Sequence, residues 1–195
     1  GDATGETSLL DHAKAYLKQK YNKPGKVYLG MVHRLDKPVS GALVFARTSK
    51  GASRLSEQIR NKEFTKVYWA VVSGSPPDKG TLRDYLIKKE YGSQISKNNK
   101  GQKSVLHFKK MNQFKDTALL EIIIETGRKH QIRVQLANQG HPILGDKRYG
   151  SNISLSPKKI ALHARRLGFK HPTQDQLMSF EADPPAFWKP YIKGL

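Results

Sequence analysis

The stretch V-H-R-L-D-K-P-V-S-G-A-L-V-F-A-R, residues 32–47, is the part of the chain from which the rest is read. The apolar, β-branched segments KVYLGMVHRLD and ALVFART read as two short strands. DKPVSG joins them in a tight connection and places one carboxylate, Asp36, inside it. An aspartate in a turn ordinarily caps backbone amides. Asp36 therefore gains chemical meaning only from its surroundings: His33 and Arg34 before it, Pro38 and Gly41 after it.

Upstream, Ser8 and Asp11 have capping-box spacing, and Leu9, Leu10, Ala13, Tyr16 and Leu17 recur at helical intervals until Pro24-Gly25, which predicts an amphipathic helix. Downstream, Ser49 begins a second helix with Ala52, Leu55 and Ile59 on one face. FTKVYWAVVSG then reads as a central strand containing Tyr68, closed by SPPDKG. The polar, cationic run from Tyr91 to Lys103 suits an exposed hairpin or mobile loop. VLHFKKMNQF and TALLEIIIET read as paired strands, followed by a helix over RKHQIRVQLANQ that carries Arg133 and stops at Gly140. On that helix Lys129, Ile132, Arg133 and Leu136 fall on neighbouring parts of the surface. Strands outnumber helices and hairpin connections recur, so the fold class is α+β, a single domain over 1–195 with a mixed, mainly antiparallel sheet flanked by helices and loops.

Charge narrows the partner. Thirty-five Lys and Arg against 16 Asp and Glu leave +19, a surface that attracts polyanions, with nucleic acid ahead of an anionic membrane. The longest apolar runs, ALVFA and LLEIII, are far shorter than the ~20 residues of a spanning helix. No apolar signal segment opens the sequence, so cytoplasm is the expected location and no membrane is expected as partner. The opening GDATGETS reads like the middle of a longer protein.

Several chemistries fail on spacing. The seven histidines form neither H-E-x-x-H nor a close His-x-His pair, and cysteine is absent, so no metal is expected. No G-x-S-x-G elbow marks a serine nucleophile. No glycine-rich phosphate loop marks a nucleotide cofactor, and no cofactor of any kind is expected. A glycosidase pair is unmarked by any second acid.

The string HRLD, followed by SG and an apolar strand, resembles the catalytic motif of RluA-type pseudouridine synthases, relatives of the RsuA-like enzymes. The likeness continues in order. FTKVYWAVVSG is similar to the family's K-x-Y strand, TGRKHQIRVQLANQGHPILGDKRYG resembles its second signature, and LHARRLGF its later L-H-A segment. Together these matches run from about residue 8 to 191. Position 39 is Val where the family often has Thr, which removes a hydroxyl from the loop. The strand segment that the family carries upstream of residue 8 is expected to be missing here, and no S4-like domain, found in some relatives, is expected in this chain.

By that resemblance Asp36 is the catalytic carboxylate, Tyr68 sits against the target uracil, and Arg133 pairs with Asp36. Tyr68 would stack on the base and assist loss of the C5 proton. Asp36 would act by a covalent adduct or by a glycal route, and sequence does not separate the two. Leu136 would line the uracil pocket. Arg34 would fill the space left by a flipped base or hold its phosphate. Arg128, Lys129 and His130 are expected substrate contacts, with Arg47, Lys66, Lys147, Arg148, Arg165 and Arg166 as further RNA candidates. The implied activity is isomerisation of uridine in ribosomal or transfer RNA, by a chain expected to be monomeric. A non-enzymatic RNA-binding or ribosome-assembly protein on the same fold is the rival.

Overall fold

Ser8 Oγ accepts the Asp11 N–H while the Asp11 carboxylate takes the Ser8 N–H, the reciprocal cap expected for α1, Leu9–Lys20. The computed structural model describes residues 7–155 and 159–192, so most of the opening GDATGETS lies outside it. Although α1 is amphipathic in sequence, none of its residues is buried. Thr48 caps α2, Ser49–Arg60, with Oγ1 accepting the Gly51 N–H. The predicted face of α2 is the packed one: Leu55 is buried with Ala46, Phe64, Leu167 and Phe169, and Ala52 and Ile59 lie against them.

The two strands expected around Asp36 shrink to fragments. β1 (Gly30–Met31) pairs with β3 (Phe45–Ala46), and β2 (Ser40–Gly41) joins a different sheet. The reason is local. The Val44 N–H donates to His33 Nε2 at 3.1 Å and so takes a side chain where a ladder partner would stand.

The large sheet is built from β4 (Thr65–Ser73), β5 (Lys79–Lys89), β6 (Gly92–Ile95), β7 (Gln102–Gln113), β8 (Thr117–Ile124), β9 (Leu162–Lys170) and β10 (Leu177–Glu181). Their order is β10-β9-β4-β8-β7-β5-β6, every pair antiparallel, and β2 adds one parallel pairing to β9. The expected mixed, mainly antiparallel α+β sheet is the observed one. β4 lies inside it as read, and the polar run after Tyr91 resolves into β6 and a turn leading to β7. The main core gathers Val71, Leu106, Leu119, Leu120, Ile122 and Trp188 with Ile132 and Leu136 of α3, Gln131–Asn138. Among the described residues no helix is long and apolar enough to cross a membrane.

What sets the Asp36 loop in place is β2 lying directly on β9. Ala42 N–H donates to Ala164 C=O at 2.9 Å, and Gly41 runs at φ +122° against the Ala164 backbone. A Cβ at Gly41 would lie 2.3 Å from the Ala164 carbonyl oxygen, so only glycine fits. Gly140 also has positive φ, but a Cβ there meets nothing within 4 Å. Gly41→Ala is expected to cost about 3 kcal/mol and roughly 6–12 °C in Tm, against about 1 kcal/mol for Gly140→Ala. Thermal unfolding followed by circular dichroism compares them, and equal losses would show that the close approach to Ala164 is not limiting.

Candidate active site

The helix α3 starts from a preorganised turn. Gln131 Oε1 accepts from Thr126 Oγ1 at 2.8 Å and from the Arg128 N–H at 3.1 Å, while its Nε2 donates to Val105 C=O at 3.0 Å. His130 precedes the helix in a left-handed conformation, φ 55°. Gln131 to Leu136 are all buried, so Arg133 enters the interior as part of a helix packed on every side.

Burying a guanidinium is costly unless its donors are satisfied. Arg133, only 5% exposed, meets Asp146 with two parallel bonds, Nε to Oδ2 at 2.6 Å and Nη2 to Oδ1 at 2.9 Å. Its remaining edge reaches Asp36: Nη1 to Oδ2 is 3.2 Å. Desolvation alone would lower the Arg133 pKa, but the bonds and charges of Asp146 and Asp36 outweigh it and the net shift is upward. The group is a fixed cation. Its guanidinium also lies 5.1 Å from the Tyr149 ring centre, and the Tyr149 hydroxyl is 2.9 Å from His130 Nδ1.

Asp36 sits in the loop between β1 and β2, closed by Val39 N–H to Asp36 C=O at 2.9 Å. Ser40 Oγ is 2.8 Å from Nδ1 of His163, whose Nε2 faces the Ala182 carbonyl at 2.9 Å. Val39, the position lacking the family's usual Thr, packs against the main core and borders the recess beside Asp36. His130 Nε2 lies 3.7 Å from Asp36 Oδ2, but burial, the largest influence, pulls the His130 pKa down despite that carboxylate. Tyr68 borders the same recess, and burial, with the charge of Asp36 second, pushes its phenol up to about 12. At neutral pH the ring therefore carries its proton.

Two connected spaces meet at Asp36. The outer one is an open cleft of 1360 Å³, larger than the ~300–1,000 Å³ of small-molecule sites. Nine Lys and Arg side chains line it against two carboxylates, Asp36 and Asp146. The inner one is a recess of 80 Å³ lined by Val39, Tyr68, Ile124, Ile132 and Leu162. Arg34, Asp36, Gly127, Arg128, His130 and Arg133 border both.

The structure thus brings Asp36, Tyr68, Arg133, Arg34, Arg128, Lys129 and His130 to one place, with Lys147 and Arg148 on the outer wall. Leu136 is a correction. It is 1% exposed in the core and borders neither space, while Ile132, one turn earlier, borders the recess. Arg165 and Arg166 are ion-paired to Glu181, Arg47 stacks on Tyr21, and Lys66 lies half-buried over Phe64; none of the four lines the cleft. Sequence reading assigned no role to Asp146, Gln131 or Tyr149. The signal for Asp146 was its place in GDKRYG, within the quoted second signature.

The model of the family described as RNA pseudouridylate synthase matches residues 2–138. The chain is 35% identical over 167 residues to the ribosomal large subunit pseudouridine synthase D of Zymomonas mobilis, covering 80% of this chain and 53% of that one. It is 37% identical over 197 residues to an uncharacterized RNA pseudouridine synthase of Bacillus subtilis, covering 100% and 64%. The chain thus spans between about half and two thirds of the length of these relatives. The fold is similar to that of human RNA pseudouridylate synthase domain containing 4, with TM-score 0.79, 24% identity and coverage of 95% of this chain and 82% of that one.

His33 behind the loop yields a pH prediction. Its Nε2 accepts the Val44 N–H, and burial, with Lys66 second, brings its pKa from 6.5 to about 4. Above pH 6.5 folded and unfolded chains both hold it neutral; as pH falls toward 4 the unfolded chain binds the proton first, and stability is lost. The loss from this group reaches about 3 kcal/mol at most. Urea unfolding at a series of pH values should show a steeper acid loss for the intact protein than for His33→Gln; parallel curves would mean that His33 is not the titrating group.

Proposed function

The chain belongs to the RluA-type RNA pseudouridylate synthase family, and from that membership we propose that it isomerises uridine to pseudouridine in RNA with Asp36 as the catalytic carboxylate. The carrying observation is the Asp36 carboxylate held 3.2 Å from the buried Arg133 guanidinium, where a basic cleft meets a recess containing Tyr68. The reaction breaks the N1–C1′ bond, turns the uracil, joins C5 to C1′, and moves the C5 proton off as N1 regains one. Atoms balance, and no co-reactant is needed.

Each residue has a physical task in this proposal. Arg133 fixes the direction of the Asp36 carboxylate through the Nη1–Oδ2 contact. Asp146 acts through Arg133 as a positioning residue, because its two bonds hold the guanidinium plane. Tyr68, with a phenol raised to about 12, is a poor proton acceptor at rest, which supports ring contact with uracil over removal of the C5 proton. Arg34 at the mouth of the recess, with Arg128, Lys129 and His130, would hold the flipped nucleotide and its phosphates. The cationic outer wall suits a folded polyanion, and two basic residues of the throat, Arg34 and Arg128, are exposed. Ribosomal RNA is the favoured substrate, because relatives of this chain carry ribosomal large subunit in their names; transfer RNA is the other arm of the test.

Ribosomal and transfer RNA carrying tritium at uridine C5 are incubated with intact protein and with variants. Intact protein is expected to release tritium, and Asp36→Asn to lower release by roughly a thousand-fold or more. Equal release from Asp36→Asn would remove Asp36 from the mechanism, and no release from either RNA with intact protein would favour the binding-protein rival. Arg133→Lys and Asp146→Asn separate positioning from binding. A lysine keeps the charge but cannot bridge two carboxylates with a planar fork. Both variants should lower single-turnover rate by about a hundred-fold while leaving RNA affinity and its salt dependence near those of intact protein. A reduced salt slope with a normal rate at saturation would instead make Arg133 a phosphate contact.

A further inference from the structure

The connection between β5 and β6 carries an aromatic residue in an unusual setting. Tyr91 is 70% exposed, and its side chain projects from the tip of a hairpin that hangs beside the basic cleft. A large ring left in water at a turn is ordinarily free to move with the turn. Here the backbone around it is clamped by residues of the cleft itself.

Arg148 Nη1 donates to the Tyr91 carbonyl oxygen. Lys129 Nζ donates to the Glu90 carbonyl at 2.9 Å and to that of Lys89 at 3.3 Å. On the next residue but one, the Ser93 N–H donates to the Tyr149 hydroxyl at 2.9 Å, and Ser93 Oγ donates to the Lys129 carbonyl. Arg148 and Lys129 both line the cleft, and Tyr149 lies against Arg133. Lys88, paired with Ser93 just below the hairpin tip, lines the cleft as well. The hairpin tip is therefore tied to the same wall that carries the predicted substrate contacts.

We propose that Tyr91 is a stacking platform for an unpaired base of the RNA, next to the nucleotide that enters the recess. The inference rests on the reading of the cleft as an RNA site and adds a contact which that reading does not require. An exposed ring on a fixed backbone loses little conformational freedom when a base covers it. Its neighbours Lys88, Lys89, Lys129 and Arg148 supply the charge that brings a phosphate backbone within reach. Flat aromatic faces on an anionic polymer are what such a combination recognises, and stacking is indifferent to base identity. The platform would hold RNA that has been opened beside the target, offsetting part of the cost of unstacking.

The test uses the intact chain with two labelled probes, single-stranded oligouridylate and a blunt RNA duplex, in equilibrium anisotropy titrations. Tyr91→Ala should weaken binding of the single strand by about five- to hundred-fold and leave the duplex nearly unchanged. The salt slope should stay the same, since no charge is removed. Tyr91→Trp should restore affinity and its added fluorescence should be quenched by the single strand, whereas Tyr91→Leu, apolar but without a π-face, should bind like Tyr91→Ala. Unchanged single-strand affinity in Tyr91→Ala, with intact protein binding RNA, overturns the platform alone; absence of RNA binding by the intact chain overturns the cleft assignment with it.

Discussion

The arrangement depends on a buried arginine that has two acidic partners. A guanidinium at the centre of a packed helix needs its donors filled, and Asp146 fills one edge so completely that the other edge has a single direction left to point. Asp36 lies along that direction. The order of cause matters: the Arg133–Asp146 pair belongs to the interior, with both side chains at 5% exposure or less, while Asp36 stands at its solvent side with 22% of its side chain exposed. An interior ion pair thus forms a fixed bracket for a carboxylate that stands at the solvent side.

A bracket is useful only if the loop bearing Asp36 arrives at it reproducibly, and that loop has almost no regular structure of its own. Two residues of β2 do the work by lying parallel on β9, where Gly41 lets the backbones approach more closely than any side chain would allow. His33 and Ser40 flank Asp36 and are tied in different directions, one to Val44 and the other through His163 to Ala182. Because β9 also pairs with β4, which carries Tyr68, the loop and the ring share one strand as their common reference. The register Tyr68↔Ala164 and Gly41↔Ala164 meets at a single residue of β9.

Much of this was legible in sequence, and the failures have physical causes. Capping signals and apolar spacing located α1 and α2, and the long β-prone runs located β4, β7 and β8, because those features are local. Tyr68 and the Asp36–Arg133 contact, which joins residues 97 apart, were reached only through resemblance of ordered motifs. Asp146 escaped because a carboxylate after glycine in a turn-rich string reads as a surface turn, and nothing local announces that its partner is a helix residue. Leu136, which the resemblance implies for the uracil pocket, lies instead in the main core, because six consecutive residues of α3, Gln131 to Leu136, are buried and only part of that surface faces the recess. Arg165 and Arg166 looked like RNA contacts from charge alone; their ion pairs with Glu181 depend on β9 and β10 being neighbours.

The separation of the site into two spaces also divides its labour. Cations dominate the outer cleft, and their attraction for a polyanion is long-ranged and tolerant of position. The recess adds five aliphatic side chains and one phenol to the charged rim it shares with the cleft, so a group entering it would be selected by shape and contact at short range. Asp36 stands where the two regimes meet, and there a negative group would suffer most from an approaching phosphate. Of the groups beside it, His130 has its pKa lowered by burial and contributes little positive charge at neutral pH. Arg133 is then the charge that counts at contact distance, and because Asp146 already holds it from behind, a passing phosphate cannot draw it away from Asp36 without leaving a buried carboxylate unpaired.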